Sequence, residues 1–247
     1  MPDRRKHRGP HPQDRQLFSQ PCHHLLQNAT SDLSWLLSRG YAAASSLKLV
    51  GDRYRLTARQ RLAVSRCACS AQAVARRGEH QLSVDDLVNE ELWIDGYNVI
   101  TSIEAALAGG VLLQARDGCI RDMASMHGNY RKVTETIPAI DLIGQQLADW
   151  NLAACRWLFD APVSNSGRLK KIIQDRAAQR HWQWTVELVA DPDPILCSTE
   201  AIVASADSQI IDAAPRWLNL ARLVIETRIN DAWIVDLSTE GSTDPVG

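Results

Sequence analysis

Aspartates stand at the ends of several short apolar runs in this chain. Asp95 closes LWID, Asp160 closes ACRWLFD and Asp207 closes AIVASAD, while Asp191 and Asp193 follow WTVELVA. Carboxylates brought close together repel one another and raise one another's pKa unless a counter-charge is present. The simplest counter-charge for oxygen ligands is a hard divalent cation, Mg²⁺ or Mn²⁺. Cations of this kind assist water in cleaving phosphodiesters.

The apolar runs alternate with amphipathic segments. The runs cover residues 92–100, 154–161, 184–191, 201–207 and 232–237, and helical patterns cover roughly 117–127, 136–150, 166–181 and 208–226. Strands that alternate with helices predict an α/β domain with a parallel sheet and helices on both faces. Such sheets bind ligands at the carboxyl ends of their strands. We therefore expect Asp95, Asp160 and Asp207 to meet there as metal ligands and catalytic residues.

Each aspartate taken singly has a simpler interpretation. Asp207 precedes Ser208 and is a good N-cap for the helix predicted to follow. Asp95 and Gly96 form an ordinary turn signal. A cap or a turn is the better explanation of any one aspartate, whereas the repeated placement at strand ends favours a shared site.

Other polar residues could complete this site. Asn98 and Ser205 are placed to hydrogen-bond the carboxylates or a bound water. The helical pattern after residue 117 offers Asp122 as a fourth catalytic acid and Asp117 as a supporting one.

Basic residues are concentrated in the first 77 residues, which carry 14 Lys and Arg against 4 Asp and Glu. The remainder carries 13 against 25, and the whole chain has a net charge of −2. This split favours a basic part that meets a polyanion, although two oppositely charged surfaces that dock on each other are the alternative. Seven residues are candidates to contact RNA phosphates: Arg59, Arg66, Arg116, Arg121, Arg131, Lys132 and Arg168. The loop SNSGR around Arg168 could also take an anion on its backbone N–H groups.

The chain divides into four predicted parts. Residues 1–27 are polar and aperiodic and predict a disordered tail, and residues 239–247 predict a second one. Residues 28–88 predict a basic, mainly helical region, and residues 89–238 the α/β domain. Within the helical region, one helix starts near Ser31, residues 47–56 form a small hairpin or an irregular link, and a long helix covers 57–77.

Composition argues against several settings for the protein. No run of eighteen apolar residues predicts a membrane span, and the basic N-terminus lacks the apolar segment of a secretory signal. The six cysteines form no CxxC pair and are expected to be free thiols. A cytoplasmic location is the resulting expectation.

Other α/β enzyme classes lack their motifs here. The first run continues as DGYNVI, without the GxGxxG of a dinucleotide-binding enzyme. Tyr97 occupies the position where an aspartyl-phosphate phosphatase has a second aspartate. Neither a GxSxG elbow nor a Walker loop is present.

The motifs carry a family likeness. WIDGYNVI, FDAPVSNSG and VASADSQIID resemble the strand ends of the NYN branch of the PIN-like nuclease superfamily. The basic stretch LLSRGYAAASSLKLVGDRYRLTARQRLAVSR is similar to the family called domain of unknown function 434, in which such a region is joined to a PIN-like part. Together the two likenesses cover about residues 30–237.

The resemblance implies a PIN-like fold and a metal-dependent ribonuclease. Asp95, Asp160 and Asp207 match the acidic positions of the superfamily, and Asp122 or Asp117 stands where a helical acid is often found. Ala206 departs from the Ser or Thr that usually precedes the last aspartate. Some PIN-like proteins bind RNA without cleaving it.

Three functional hypotheses follow. The first is an endoribonuclease that hydrolyses RNA with Mg²⁺ or Mn²⁺. The second is an RNA- or ribosome-associated binding protein in which the acidic cluster is structural. The third is an interaction protein whose basic half docks on the acidic half of a second copy, as a homo-oligomer.

Overall fold

The N-terminal region is a set of short packed helices. The structure is a computed structural model and describes residues 7–124 and 130–238. The helices are α1 (Asp14–Leu17), α2 (Gln20–Ser38), α3 (Ala43–Arg53), α4 (Ala58–Cys67) and α5 (Ala71–His80). Phe18, Leu26, Leu33 and Val64 lie in their shared core.

The predicted disordered tail over residues 1–27 is wrong in its described part. Helix α1 and the first turns of α2 lie inside it, and Pro21 stands in the first turn of α2, where its missing N–H costs nothing. The polar composition concealed two anchors: Phe18 is buried, and Asp14 forms an ion pair with Arg59 of α4. The second predicted tail, residues 239–247, lies outside the described residues.

Two further expectations for the N-terminal region need correction. Residues 47–56 form neither a hairpin nor an irregular link, because most of them belong to α3. The long helix predicted over 57–77 is two helices, α4 and α5, and its predicted cap at Thr57 is confirmed as a capping box with Gln60. Ser70 caps α5, which explains the break.

The α/β part is built on a parallel sheet, as the alternating pattern predicted. A 3₁₀ helix (Val84–Leu87) comes first. The strands and helices then follow along the chain in this order: β1 (Glu91–Asp95), α6 (Gly96–Leu107), β2 (Leu112–Gln114), β3 (Ile120–Asp122), α7 (Thr136–Ala148), β4 (Ala154–Asp160), α8 (Ser166–Arg180), β5 (Trp184–Val189), α9 (Asp193–Ser198), β6 (Ile202–Ala204), α10 (Ser208–Ala213), β7 (Trp217–Leu218), α11 (Leu220–Arg228) and β8 (Ile234–Asp236). The strand order is β5-β4-β1-β6-β7, with every neighbouring pair parallel.

A second, three-stranded sheet was not predicted. Its order is β3-β2-β8, so the last apolar run does not join the main sheet. The helix predicted over 117–127 is wrong in its described part, because β3 lies inside this segment and pairs antiparallel with β2; residues 125–129 lie outside the described part. The helix predicted over 208–226 is divided into α10 and α11 by strand β7. The second sheet packs against the N-terminal helices through Leu113 and Val235.

Register places the ends of the central strands. Asp95, the last residue of β1, pairs with Leu158 of β4, so Asp160 lies two residues further along. On the other side of β1, Ile94 pairs with Ala204, and Ser205 therefore comes beside Asp95. Side chains alternate between the sheet faces along each strand.

The chain passes from β1 into α6 without a loop. A Cβ atom at Gly96 would overlap the ring of Phe159, so this turn requires glycine. Ile94 and Phe159 face the core shared with α6, α7, α8 and α11. Leu158 and Val203 face α9 and α10. Among the described helices, none combines the length and apolar character needed to cross a bilayer.

Candidate functional site

A cavity of about 470 Å³ lies at the carboxyl edge of the central strands. Four carboxylates and two guanidinium groups line it: Asp95, Asp122, Asp193, Asp207, Arg66 and Arg121. Ser65 and Arg66 belong to α4, so the N-terminal helical region forms one wall. We call this space the acidic cavity.

The Asp95 carboxylate is the most perturbed acid of the cavity. Burial raises its pKa to about 7, opposed by the Ser205 hydroxyl and by the backbone N–H of Asn98 and reinforced by Asp207 and Asp193. None of these main influences is a cation. Asp95 occupies the N-cap position of α6, where the backbone N–H of Asn98 lowers its pKa, but its side chain makes no full capping hydrogen bond.

Neighbouring polar groups hold Asp95 and the β6 loop together. The Ser205 hydroxyl donates to Asp95 Oδ2 at 2.7 Å and accepts the backbone N–H of Asp207 at 3.0 Å. The side-chain oxygen of Asn98 accepts the N–H of Ala206 at 2.9 Å. The structure thus places Asn98 and Ser205 beside the aspartates, where the sequence predicted supporting residues.

Asp207 and Asp193 lie on the side of the cavity next to α9 and α10. Asp207 Oδ1 accepts the Gln209 N–H at 2.8 Å, which confirms that it is the N-cap of α10. Burial raises the pKa of Asp193, with further contributions from Asp207, Asp191 and Asp160. The carboxylates at these strand ends are therefore close enough to influence one another's protonation.

Asp122 shares the cavity but is already well bound. Its Oδ2 accepts the Ser102 hydroxyl at 2.9 Å and the Thr101 hydroxyl at 3.3 Å, and its Oδ1 accepts the Ala124 N–H at 2.6 Å. Arg66 lies 3.8 Å from the same carboxylate. Asp122 ends strand β3, and not a helical turn as predicted.

Asp160 stands outside the acidic cavity. The lining does not include it, because β4 continues two residues beyond the partner of Asp95. Burial raises the pKa of Asp160, and Asp191 adds to the shift. Register thus separates Asp160 from the pair formed by Asp95 and Asp207.

Asp117 does not line the cavity either. It is fully buried between Arg77 of α5 and Arg121 of β3. Burial raises its pKa, but the two guanidinium groups outweigh burial and the pKa is lowered overall. Arg77 also binds Asp212 of α10 through two nitrogens, at 2.8 and 2.9 Å. Asp117 is therefore part of a buried ion network that joins the N-terminal helices to the α/β part.

Several predicted RNA-contacting arginines are engaged inside the protein. Arg59 pairs with Asp14, and Arg121 binds Asp117 and donates to the Ala206 carbonyl at 2.8 Å. Arg66 donates to the carbonyl of Ala124 at 2.9 Å and to that of Asp122. These side chains serve first to position the walls of the cavity.

The remaining predicted RNA contacts lie elsewhere. Arg116 is partly exposed, and its backbone N–H is bonded to the Cys67 carbonyl at 3.0 Å. Arg131, Lys132 and Arg168 line a separate cavity beside the start of α8.

The cavity also contains a group that sequence reasoning missed. Tyr97 is 5% exposed and lines the cavity, yet within the described residues its hydroxyl has no hydrogen-bond partner. Burial, with a contribution from Asp160, raises the pKa of Tyr97, so the hydroxyl keeps its proton at neutral pH. The DGYN motif contained this residue, but its hydroxyl stands out only when the ring is seen packed between Phe159 and Tyr130.

The aspartates fit a divalent cation only in part. Within residues 7–124 and 130–238, no three His, Cys, Asp or Glu side chains are grouped as metal ligands. Mg²⁺ is often held by one or two carboxylates, with waters completing its shell. Asp95 and Asp207 fit this smaller donor set, because they share the cavity and Asp207 raises the pKa of Asp95.

Fold and cavity together define the class: an α/β protein with a parallel sheet, an acidic cavity at its carboxyl edge and a basic helical N-terminal region. The chain belongs to the family described as domain of unknown function DUF5616, which matches residues 84–223. The family described as protein of unknown function DUF434 matches residues 25–79 and confirms the likeness predicted for the N-terminal helices.

A curated relative shares both parts of the chain. The uncharacterized protein MJ0935 of Methanocaldococcus jannaschii is 30% identical over 186 residues, which cover 75% of this chain and 88% of that protein. No solved structure matches the chain.

Proposed function

We propose that the protein is a divalent-metal-dependent endoribonuclease of PIN-like type that hydrolyses RNA phosphodiesters at the acidic cavity. The observation that supports this most directly is the Asp95 carboxylate. It is enclosed beside two other carboxylates, and its main polar contacts are neutral. Ionising a buried acid without a nearby cation lowers the stability of the fold. Acids with such raised pKa values in cavities are frequent at active sites, where a bound cation can compensate their charge.

Asp95 and Asp207 would hold Mg²⁺ or Mn²⁺ in this proposal. The bound cation would supply Lewis acidity and ease the deprotonation of a water near the phosphodiester. Ser205 orients Asp95 through the 2.7 Å hydrogen bond, and Asn98 fixes the loop that carries Asp207. Asp193 and Asp122 face the same space and would complete an outer layer of acceptors for bound water.

The direct test is RNA cleavage by the purified full chain. We expect Mn²⁺-dependent cleavage of single-stranded or structured RNA that chelator abolishes and that Asp95→Asn reduces by at least about a hundredfold. The matched control is Asp231→Asn, which removes one carboxylate outside the cavity lining and should leave the rate unchanged. Cleavage that survives Asp95→Asn, or equal loss in both variants, would contradict the proposal.

The buried Tyr97 hydroxyl gives a second prediction. Its oxygen is buried without a partner in a side chain that lines the cavity, and a small shift of the ring on RNA binding would let it donate to a phosphate oxygen. Because Tyr97→Phe removes no hydrogen bond of the described protein, its urea midpoint should match or exceed that of the wild type. Its cleavage rate should fall roughly tenfold, with Mn²⁺ affinity unchanged. A clear loss of stability at full activity would assign the hydroxyl a structural role instead.

A non-catalytic RNA-binding protein is the second candidate. The observations that favour it are the absence of three grouped ligands in the described chain and the use of Asp207 as a helix cap. Calorimetric titration with Mn²⁺ at pH 8 separates the two. Binding that Asp95→Asn removes supports the nuclease, whereas RNA affinity without any Mn²⁺ affinity supports the binding protein.

A further inference from the structure

A second cavity, opposite in charge, lies beside the start of α8. It has a volume of about 390 Å³, and its charged lining residues are Arg131, Lys132 and Arg168. Among the described residues, no carboxylate belongs to its lining. In the described part of the chain, Lys132 and Arg168 form no salt bridge, unlike Arg59 and Arg121. We call this space the basic pocket.

The local backbone keeps the basic pocket open. Asn165, the N-cap residue of α8, is left-handed with φ 70° and makes no capping hydrogen bond with its side chain. Its Nδ2 donates instead to the Tyr130 carbonyl at 2.9 Å, which ties the two walls together. At Gly167, in the first turn of α8, a Cβ would find no described atom within 4 Å. Asn165 and Arg168 both line the pocket, so the amino end of this 15-residue helix lies beside it and adds partial positive charge to the cations.

Tyr130 forms the floor of the pocket and is held by several contacts. Tyr130 is 1% exposed, its ring packs on Tyr97, and the cationic group of Arg8 lies 5.2 Å from its centre. Its hydroxyl donates to buried Glu104 and lies 3.1 Å from the Thr136 hydroxyl. The basic side chains thus surround the buried ring of Tyr130.

The same aromatic pair separates the two cavities. Tyr97 lines the acidic cavity, Tyr130 lines the basic pocket, and their ring centroids are 5.3 Å apart. A ligand that spans both spaces must have an anionic group on one side and a group that tolerates carboxylates, or a cation, on the other. An RNA strand satisfies this when a divalent cation occupies the acidic cavity: one phosphate then meets that cation, and the next phosphate along the strand meets the basic side chains.

From this arrangement we infer that the basic pocket binds a backbone phosphate of the RNA, next to the phosphodiester that lies in the acidic cavity. The inference rests on the proposed function for its ligand class. Lys132, Arg168 and the first turn of α8 form the site, with Arg131 at its edge. The pocket positions the strand and has no part in bond cleavage.

The test is RNA binding without cleavage. Binding of a fluorescent single-stranded RNA is followed by anisotropy in chelator, over a range of salt concentrations. We expect Lys132→Gln with Arg168→Gln to raise Kd roughly five- to tenfold and to lower the slope of log Kd against log salt by about 0.7, the value for one phosphate of a single strand. The matched control is Lys171→Gln with Arg180→Gln, which removes two exposed charges from the same helix and should change neither value much.

Three outcomes would overturn the inference. The first is an unchanged Kd for RNA in the Lys132→Gln, Arg168→Gln variant, and the second is an equal change in the control variant. The third is that the wild type binds inorganic phosphate in this pocket with micromolar affinity while the pocket variant still binds RNA normally. Failure of the pocket and failure of the nuclease remain distinguishable. If cleavage needs Asp95 but not Lys132 and Arg168, only the inference about the pocket is wrong. If RNA binding needs the pocket but no cleavage occurs, only the proposed nuclease activity is wrong.

Discussion

Replacing Asp95 by asparagine will make the metal-free protein more stable at pH 8, by roughly 1 to 3 kcal/mol. The pKa of Asp95 is about 7 in the folded protein, against an ordinary value of 3.8. Between these values the folded state holds a proton that the unfolded chain has released, so the free energy of unfolding falls as pH rises from about 4 to about 7. Above pH 7 both states are ionised, and the full cost of the buried charge is present. The amide has no charge to bury, and active-site acids often lower stability in this way.

Urea unfolding in chelator at pH 5 and pH 8 measures this effect. The difference between Asp95→Asn and the wild type should be larger at pH 8 than at pH 5. Asp160→Asn is the matched control, because Asp160 also ends a strand but stands outside the cavity and should show a smaller gain. Adding Mn²⁺ at pH 8 should stabilise the wild type and leave Asp95→Asn unchanged, since a ligand stabilises only a state that binds it. A variant less stable than the wild type at pH 8 would show that the charge is well solvated or paired.

Replacing Arg77 by methionine will destabilise the protein by about 3 kcal/mol, because it breaks a buried ion network from one side. The Arg77 side chain is 3% exposed and contacts Asp117 and Asp212. The Asp117 side chain is fully buried and would keep Arg121 and the Cys119 N–H, so part of its charge would lose its compensation. Arg77 also lies at the junction of α5 with the α/β part, where the Trp217 indole donates to its carbonyl at 2.8 Å.

The neighbouring arginine provides the control. Arg76 lies one residue earlier on α5, is 47% exposed and pairs with the same Asp212 at 2.7 Å. Exposed ion pairs contribute little, so Arg76→Met should cost less than about 1 kcal/mol in urea unfolding. Arg77→Lys should recover only part of the loss, because an ammonium group cannot reproduce the two-nitrogen contact with Asp212. Equal destabilisation by Arg76→Met and Arg77→Met would contradict a buried network.

The sequence alone determined the parallel sheet and the position of its acids. The apolar runs predicted β4 and β5 closely and located β1 and β6, because buried parallel strands are nearly continuous apolar runs. The first run, 92–100, was too long as a strand, since its last five residues begin α6, a helix that the sequence pattern did not predict. The DGYN motif predicted Asp95 at a strand end and Asn98 as a supporting residue, whereas the position of Asn98 one helical turn later, beside the β6 loop, is known only from the structure. Ser205 could be predicted as well, since it stands two residues before Asp207 at the end of the neighbouring run.

Tertiary structure decided which acids share the cavity. Register sets Asp160 two residues beyond the partner of Asp95 and removes it from the lining, and a sequence contains no register between distant strands. Asp117 and Asp122 look equivalent in the sequence, yet one is neutralised by two buried arginines and the other faces the cavity. Their difference depends on α4 and α5, which lie some fifty residues away along the chain.

The same reason explains the errors in the N-terminal region and in the second sheet. Local composition made residues 14–27 resemble a tail, but the partners that fix them, Arg59 and the apolar core around Phe18, are distant in sequence. The β2–β3 hairpin was hidden because β2 also pairs with β8, more than a hundred residues later. Residue types and their period determine local structure, whereas the compensation of buried charge depends on contacts that form only when the whole chain is folded.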